Sequence, residues 1–326
     1  MNSTKHSRIR RRLLPALLAV SAFTIAACGG DSTDSDAESA GTGESASSGG
    51  GQITVGGANF TEMNIMQEIY AALLTDAGYT VDIITADNRE LYAASLIDGQ
   101  IDVVPEYAAT FAEYVNREAN GPDAPGIATA DAAETVAAAQ PLAEEQGLVI
   151  LDPAEAANQN GFAVLQSFAE ENSLTTLSDL AALGNPVRLA ATEECPDRPF
   201  CQIGLEETYG LTISELLPLG FGSPQGKQAV VDGQADLVLT GSTDGTLEGL
   251  GLVLLEDDLA LQQADNLVPV VNAAAAEDQA LVDVLNSLAG VLTTEDLAAL
   301  NVAVDVERQQ AVDVAQTYLQ DKGLIG

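Results

Sequence analysis

The sequence predicts an α/β protein built from two domains of similar plan. Short β-like runs alternate with amphipathic stretches from residue 52 to residue 326. The segment Leu96-Ile97-Asp98-Gly99-Gln100-Ile101-Asp102-Val103-Val104 recurs as Val230-Val231-Asp232-Gly233-Gln234-Ala235-Asp236-Leu237-Val238. The offset, from Leu96 to Val230, is 134 residues. That is far too long for a solenoid and fits one helix–turn–strand unit in each of two domains. With 326 residues, 46% of them hydrophobic, the chain can bury two ordinary cores.

The elements follow in order. Ile53-Thr54-Val55 reads as a strand ending in Gly56-Gly57. Thr61 then caps a helix to about Ala77, whose core face is Ile65, Met66, Ile69, Leu73 and Leu74 at helical spacing. Gly78 stops it. Val81–Ile84 is the next strand, followed by a polar loop, Asp87-Asn88-Arg89-Glu90. A helix over Leu91–Ile97 leads to a strand over Ile101–Val104, and an Ala-rich packing helix covers about 131–146.

Ligands of open α/β sheets bind beyond the carboxyl ends of the strands. The first copy of the repeat is followed by Pro105-Glu106-Tyr107-Ala108-Ala109-Thr110, the second by Leu239-Thr240-Gly241-Ser242-Thr243-Asp244. If the domains face one another, these segments form opposite walls of a cleft. Ser242, Thr243 and Asp244 also read as a helix start, where free N–H groups suit a carboxylate.

Charge narrows the function classes. Lys and Arg total 12 against 49 Asp and Glu, a net charge of −37. Lys5, Arg8, Arg10, Arg11 and Arg12 all lie near the amino terminus. Without residues 1–28, seven basic groups face 49 acidic ones, giving −42. Such a surface repels phosphate backbones, which excludes a nucleic-acid partner. His6 is the only histidine, so the chain beyond the leader has no Ser-His-Asp or Cys-His catalysis and no His-containing zinc site. No catalytic residue, metal or cofactor is expected.

Residues 5–12 form a basic region and Leu13–Ala27 a short apolar run ending in Ile25-Ala26-Ala27-Cys28. A branched aliphatic, two small residues and a cysteine make the lipobox of bacterial lipoproteins, with Cys28 the acylated residue. Residues 1–28 are thus read as a lipoprotein signal peptide and 29–51 as a flexible acidic Gly/Ser tether. The exported part lies outside the cytoplasm, lipid-anchored to the outer face of the cell membrane. Cys195 and Cys201 remain, in an oxidising compartment. Their spacing closes a small loop, so a disulfide is expected, with two free thiols as the alternative; a CxxC redox motif is excluded by the spacing.

Val55-Gly56-Gly57-Ala58-Asn59-Phe60-Thr61-Glu62, the stretch Asp98 to Tyr107, Ser242-Thr243-Asp244-Gly245, and Leu254-Leu255-Glu256-Asp257-Asp258 occur in this order. With these motifs the sequence resembles the glycine betaine/carnitine/choline family of ABC-transporter substrate-binding proteins, the osmoprotectant receptors. The resemblance runs from about residue 53 to the end and takes in Leu292–Asn301 and Val314–Leu324. It implies a two-lobed periplasmic-binding-protein-like fold (Venus flytrap, type II) with two crossover segments, near Asn158–Val164 and near Asn266–Val271. The expected division is 52–157 and 266–326 for lobe I and 158–265 for lobe II.

The family holds a quaternary ammonium in a box of aromatic faces, because a trimethylammonium group has no N–H to donate and is attracted to π faces. Carried over by position, Tyr107 is an expected wall. Asn59, Phe60 and Thr61 come from the first loop, Arg89 and Glu90 from the second, Asn160 from the first crossover, and Ser242, Thr243 and Asp244 from the second lobe. Arg89 and Arg198 belong to the seven basic residues beyond the leader; each is read either as a bidentate carboxylate holder or as an ion-pair partner. The chain departs from the family where Asn160 and Gly241 replace aromatics, which depletes the box. Phe60, Tyr92, Phe162, Phe200 and Tyr209 are the candidate substitutes.

The resemblance implies an extracytoplasmic solute-binding lipoprotein, monomeric and not an enzyme. It captures a small osmolyte such as glycine betaine, choline or carnitine by lobe closure and hands it to a membrane permease with its ATPase subunits. Two alternatives stand beside it: a secreted carboxylate-based hydrolase on the same fold, for which no paired-carboxylate motif speaks, and a ligand-sensing co-receptor.

Overall fold

The computed structural model describes residues 50–326. The expected signal peptide, the expected lipobox with Cys28 and all but the end of the expected tether lie outside the described residues. Among the described residues no helix is long and apolar enough to cross a membrane.

The first lobe is built from β1 (Gln52–Ala58), α1 (Thr61–Asp76), β2 (Thr80–Ala86), α2 (Arg89–Ile97), β3 (Val103–Tyr107), α3 (Ala108–Asn120), α4 (Ala132–Glu145) and β4 (Leu148–Ile150). The chain then supplies the second lobe: β5 (Asn160–Leu165), α5 (Gln166–Asn172), α6 (Leu177–Ala182), β6 (Val187–Ala191), α7 (Gly204–Tyr209), β7 (Ile213–Pro218), α8 (Pro224–Val231), β8 (Leu237–Gly241) and β9 (Leu252–Leu255). It returns with β10 (Leu267–Asn272), α9 (Gln279–Asn286), α10 (Thr294–Asp305) and α11 (Ala311–Asp321). The two five-stranded sheets have the orders β2-β1-β3-β10-β4 and β7-β6-β8-β5-β9. Each has a parallel core and one antiparallel strand that has just crossed over, β10 in the first and β5 in the second. Apolar side chains cover both faces of each sheet, as mixed sheets with helices on either side require.

The repeat occupies the same place in both lobes. Gly99 and Gly233 each turn the chain at φ 70°, a backbone conformation that costs glycine little. The following aspartate then repeats one arrangement. Asp102 N–H bonds Thr54 O at 2.9 Å while its Oδ2 accepts Thr54 N–H at 2.7 Å. Asp236 does the same with Arg188, at 2.9 and 2.8 Å. The Asp-Gly-Gln-x-Asp spacing thus locks a helix end onto the neighbouring strand.

Several expectations shift. β3 starts two residues later than expected and runs through Tyr107, although Pro105 lies inside it. Pro105 faces Pro269 in register, so this rung carries no ladder bond and neither ring removes one that is needed. Arg89 and Glu90 begin α2 instead of lying in a loop, because the Asn88 side chain accepts Leu91 N–H at 3.1 Å and caps the helix. Thr61 is not the cap of α1. Phe60 holds the cap position, and the Thr61 hydroxyl donates to Asp305 Oδ1 at 2.7 Å. Of the residues expected at the crossings, Asn158 and Asn266 lie on them, but the crossings end sooner than expected. β5 from Asn160 and β10 from Leu267 already belong to sheets, and the two crossing segments touch through an Ala157–Asn266 bridge.

Cys195 and Cys201 are joined as a disulfide, with Cα atoms 5.2 Å apart and both residues buried in the second lobe. Closing so short a loop restricts the unfolded chain. Replacing both cysteines by alanine should therefore cost roughly 2–3 kcal/mol in urea unfolding. An unchanged midpoint would show that the loop is held by packing alone.

Candidate functional site

The carboxyl ends of the strands from both lobes frame one cleft of about 720 Å³. The first lobe contributes Ala58–Thr61 at the end of β1, Asp87–Arg89 at the start of α2, and Tyr107 at the end of β3. The second contributes Thr192–Glu194 after β6 and Pro218–Gln225 around the end of β7, and the crossings add Asn158 and Asp265.

Aromatic faces meet here. Phe60 and Phe221 come from opposite lobes and pack edge-on, with centroids 5.0 Å apart. Phe60 also stacks toward Tyr107 at 6.4 Å and 28°. Tyr92 lines the same space and donates its hydroxyl to Glu106 at 2.5 Å. The other candidate substitutes lie elsewhere. Phe162 is in the second-lobe core, Phe200 lines an adjoining cavity of about 280 Å³, and Tyr209 hydrogen-bonds Asp257.

The charged residues are engaged with one another. Arg89 is 8% exposed and grips Glu106, itself 0% exposed, through Nε–Oε1 at 2.8 Å and Nη2–Oε2 at 2.7 Å. Its remaining donors reach Thr110. Burial alone would lower the guanidinium pKa; the charge and hydrogen bonds of Glu106 outweigh it and raise the value. Arg89 is therefore an ion-pair partner set into the wall. Arg198 spans the lobes, bonding Glu90 at 2.9 Å and Glu194 at 2.9 Å. Of the two readings of each arginine, the ion pair is the one this geometry displays. Beyond these ion pairs the cleft lining carries the carboxylates of Asp87 and Glu193, a field that attracts cations.

Asn59 is exposed at the cleft, and Asn160 lines it while donating to Phe200 O at 3.1 Å. Ser242–Asp244 is no helix start: the chain turns there and its first helical turn is Glu248–Leu250. The backbone N–H groups of Ser242, Asp244 and Thr246 are taken by Gln159 O, Gly241 O and Asp244 Oδ1. Ser242 is exposed and bonds the first crossing through Gln159 N–H. Asp244 pairs with the buried Lys227 at 2.8 Å. Burial raises the Asp244 pKa, but the bonds from Lys227, Thr240 and Thr246 more than reverse this and hold it below the usual carboxylate range. Thr243 turns inward onto Glu62 at 2.7 Å.

Three residues of the site escape the sequence reading. Glu62 is quoted there only as part of a motif, yet its buried carboxylate accepts hydrogen bonds from Tyr107, Asn158, Thr243 and Asn301. Phe221 supplies the second-lobe aromatic; an aromatic between two glycines just after a strand is the signal that marks it. Thr192 faces the cleft with a buried hydroxyl that has no hydrogen-bond partner among the described residues. Gly241 also gains a reason. A Cβ there would lie 2.6 Å from Asn158 Oδ1, so the bare backbone lets Asn158 reach Glu62.

Residues 51–321 match the profile of the family described as the substrate binding domain of ABC-type glycine betaine transport systems. A glycine-betaine-binding protein from Pseudomonas aeruginosa is 28% identical over 285 residues, covering 84% of this chain and 88% of that one. The glycine betaine-binding protein YehZ of Escherichia coli is 28% identical over 282 residues, 83% of this chain and 90% of its own. The structure of apo YehZ from Escherichia coli superposes with a TM-score of 0.56 at 27% identity, covering 84% of this chain and 99% of that one. A glycine betaine/carnitine/choline ABC transporter structure shares the fold, with a TM-score of 0.62 at 21% identity over 83% of this chain and 99% of its own.

Proposed function

Because the chain belongs to the family of substrate binding domains of ABC-type glycine betaine transport systems, we propose that it captures a compact quaternary-amine osmolyte between its lobes and delivers it to a membrane permease driven by ATPase subunits. One observation carries the reading: Phe60, Tyr107 and Phe221 gather from both lobes in a cleft whose unpaired charge is negative. A trimethylammonium group is drawn to such faces and lacks any N–H that the wall would have to satisfy. Asn59, Asn160 and the Thr192 hydroxyl are among the polar groups of the cleft that can meet a carboxylate or hydroxyl end. Ligand contact with both walls favours the closed form by its differential affinity. The division into 52–157 plus 266–326 and 158–265 supplies the two moving bodies. The lipobox at Cys28 places the protein outside the cytoplasm on a lipid anchor, acting as a monomer with no reaction of its own.

A thermal-shift screen of the full-length protein in mild detergent tests this. Glycine betaine, choline and carnitine should raise the melting temperature by mass action, and neutral sugars should not. Tyr107→Ala should cost about 1–2 kcal/mol of binding, from the lost ring face and packing, and Tyr107→Phe clearly less. A response only to sugars, or undiminished binding by Tyr107→Ala, would remove the quaternary-amine reading.

A further inference from the structure

Glu62 lies in the first turn of α1 and is 3% exposed. Each of its two oxygens faces a different part of the molecule. Oε1 accepts the Tyr107 hydroxyl at 2.7 Å and Asn158 Nδ2 at 2.8 Å. Oε2 accepts the Thr243 hydroxyl at 2.7 Å and Asn301 Nδ2 at 2.7 Å. Tyr107 carries a ring of the cleft wall, Asn158 stands on the first crossing, Thr243 follows β8 in the second lobe, and Asn301 lies on α10 of the first. Among the described residues no lysine or arginine pairs with this carboxylate. Four neutral donors must replace the water that a buried carboxylate gives up, and a missing donor leaves charge uncompensated.

Of the four donors, only Thr243 belongs to the second lobe's sheet end. Parting of the lobes would take it from Glu62, and Asn301 Nδ2, which also touches Thr243 Oγ1 at 3.1 Å, would lose a partner at the same moment. Among the described residues Tyr107 has no other acceptor for its hydroxyl than Glu62. We propose that Glu62 is a positioning residue that couples the ligand-facing ring of Tyr107 to lobe closure. One oxygen sets the ring, and the other is captured by Thr243 as the lobes meet. The finished aromatic wall and the closed form are then one state, and Thr243 contributes to affinity without touching ligand. This rests on the proposed osmolyte site.

The test is a double-mutant cycle on the full-length protein, with glycine betaine binding followed by calorimetry. Thr243→Val keeps the shape and removes the donor. It should weaken binding about fivefold, the net size of one ordinary intramolecular hydrogen bond. Tyr107→Phe should weaken it about threefold in the parent and not at all in the Thr243→Val background, because coupled residues are not additive. Fully multiplicative effects, or unchanged affinity in Thr243→Val, overturn the coupling. Small-angle scattering without ligand gives a second readout: Thr243→Val and Glu62→Gln should be more expanded than the parent. Identical profiles overturn the latch even if no quaternary amine binds. A parent that binds none of them overturns the osmolyte reading while this comparison still decides the latch.

Discussion

Replacing Arg89 by methionine should lower folding stability by about 3–5 kcal/mol, the range seen when one partner of a buried ion pair is removed. Glu106 is 0% exposed, and its carboxylate faces Arg89 through both oxygens. Without the guanidinium, the Tyr92 hydroxyl and Tyr107 N–H are the partners left to it. The Coulomb attraction that offset its desolvation is gone, and water cannot reach it without disturbing β3. The loss should be largely recovered by Arg89→Met combined with Glu106→Leu, since a buried pair replaced by apolar groups is often neutral. Urea unfolding of the two variants separates these effects. A single variant within about 1 kcal/mol of the parent would show that the strand end does not depend on the pair.

This pair marks the boundary of what the chain reveals when read alone. The α/β class, the repeated Asp-Gly-Gln turn and the Cys195–Cys201 loop depend on neighbours within a few residues, so periodicity and spacing expose them. The fate of Arg89 depends on Glu106, 17 residues away, and both readings of it were open until the partner was in place. Glu62 is harder still. Its partners lie 45, 96, 181 and 239 residues distant, and no local pattern announces a carboxylate satisfied by four separate segments. Ser242–Asp244 misled in the other direction. Polar residues after a strand imitate a helix start, but Lys227 from α8 captures Asp244 and the turn continues without a helix. Tyr107 was legible because the family motif carries it, and Phe221 was not because its role exists only once the second lobe faces the first.

Stability should fall as pH rises from about 4 to about 7, in a component that Asp265→Asn abolishes. Asp265 sits on the returning crossing, 4% exposed, at the floor of the cleft. Burial pushes its carboxyl up to about 7, against the pull of Thr110 N–H and Arg89 and with the push of Glu106. Between the unfolded value of 3.8 and that figure, the folded state holds a proton that the unfolded chain has released. Raising the pH therefore favours the unfolded chain across this window, and the slope ends above about 7. At about 1.36 kcal/mol per unit of pKa the component reaches a few kcal/mol at most. The carboxylates held low, Asp244 and Asp236, act oppositely and only in acid, as pH falls through their folded values. Asparagine keeps an acceptor for Thr110 N–H, now 3.0 Å from Asp265 Oδ1, and cannot ionise. The difference in unfolding free energy between parent and Asp265→Asn, followed from pH 4.5 to 8, isolates the one group. Choline gives the same titration a functional readout, because it carries a fixed positive charge and nothing that titrates near neutrality. A bound cation favours the ionised carboxylate and lowers its pKa, so choline affinity should rise through about pH 7 in the parent and stay level in Asp265→Asn. Parallel stability curves for the two proteins would mean that Asp265 is ionised throughout.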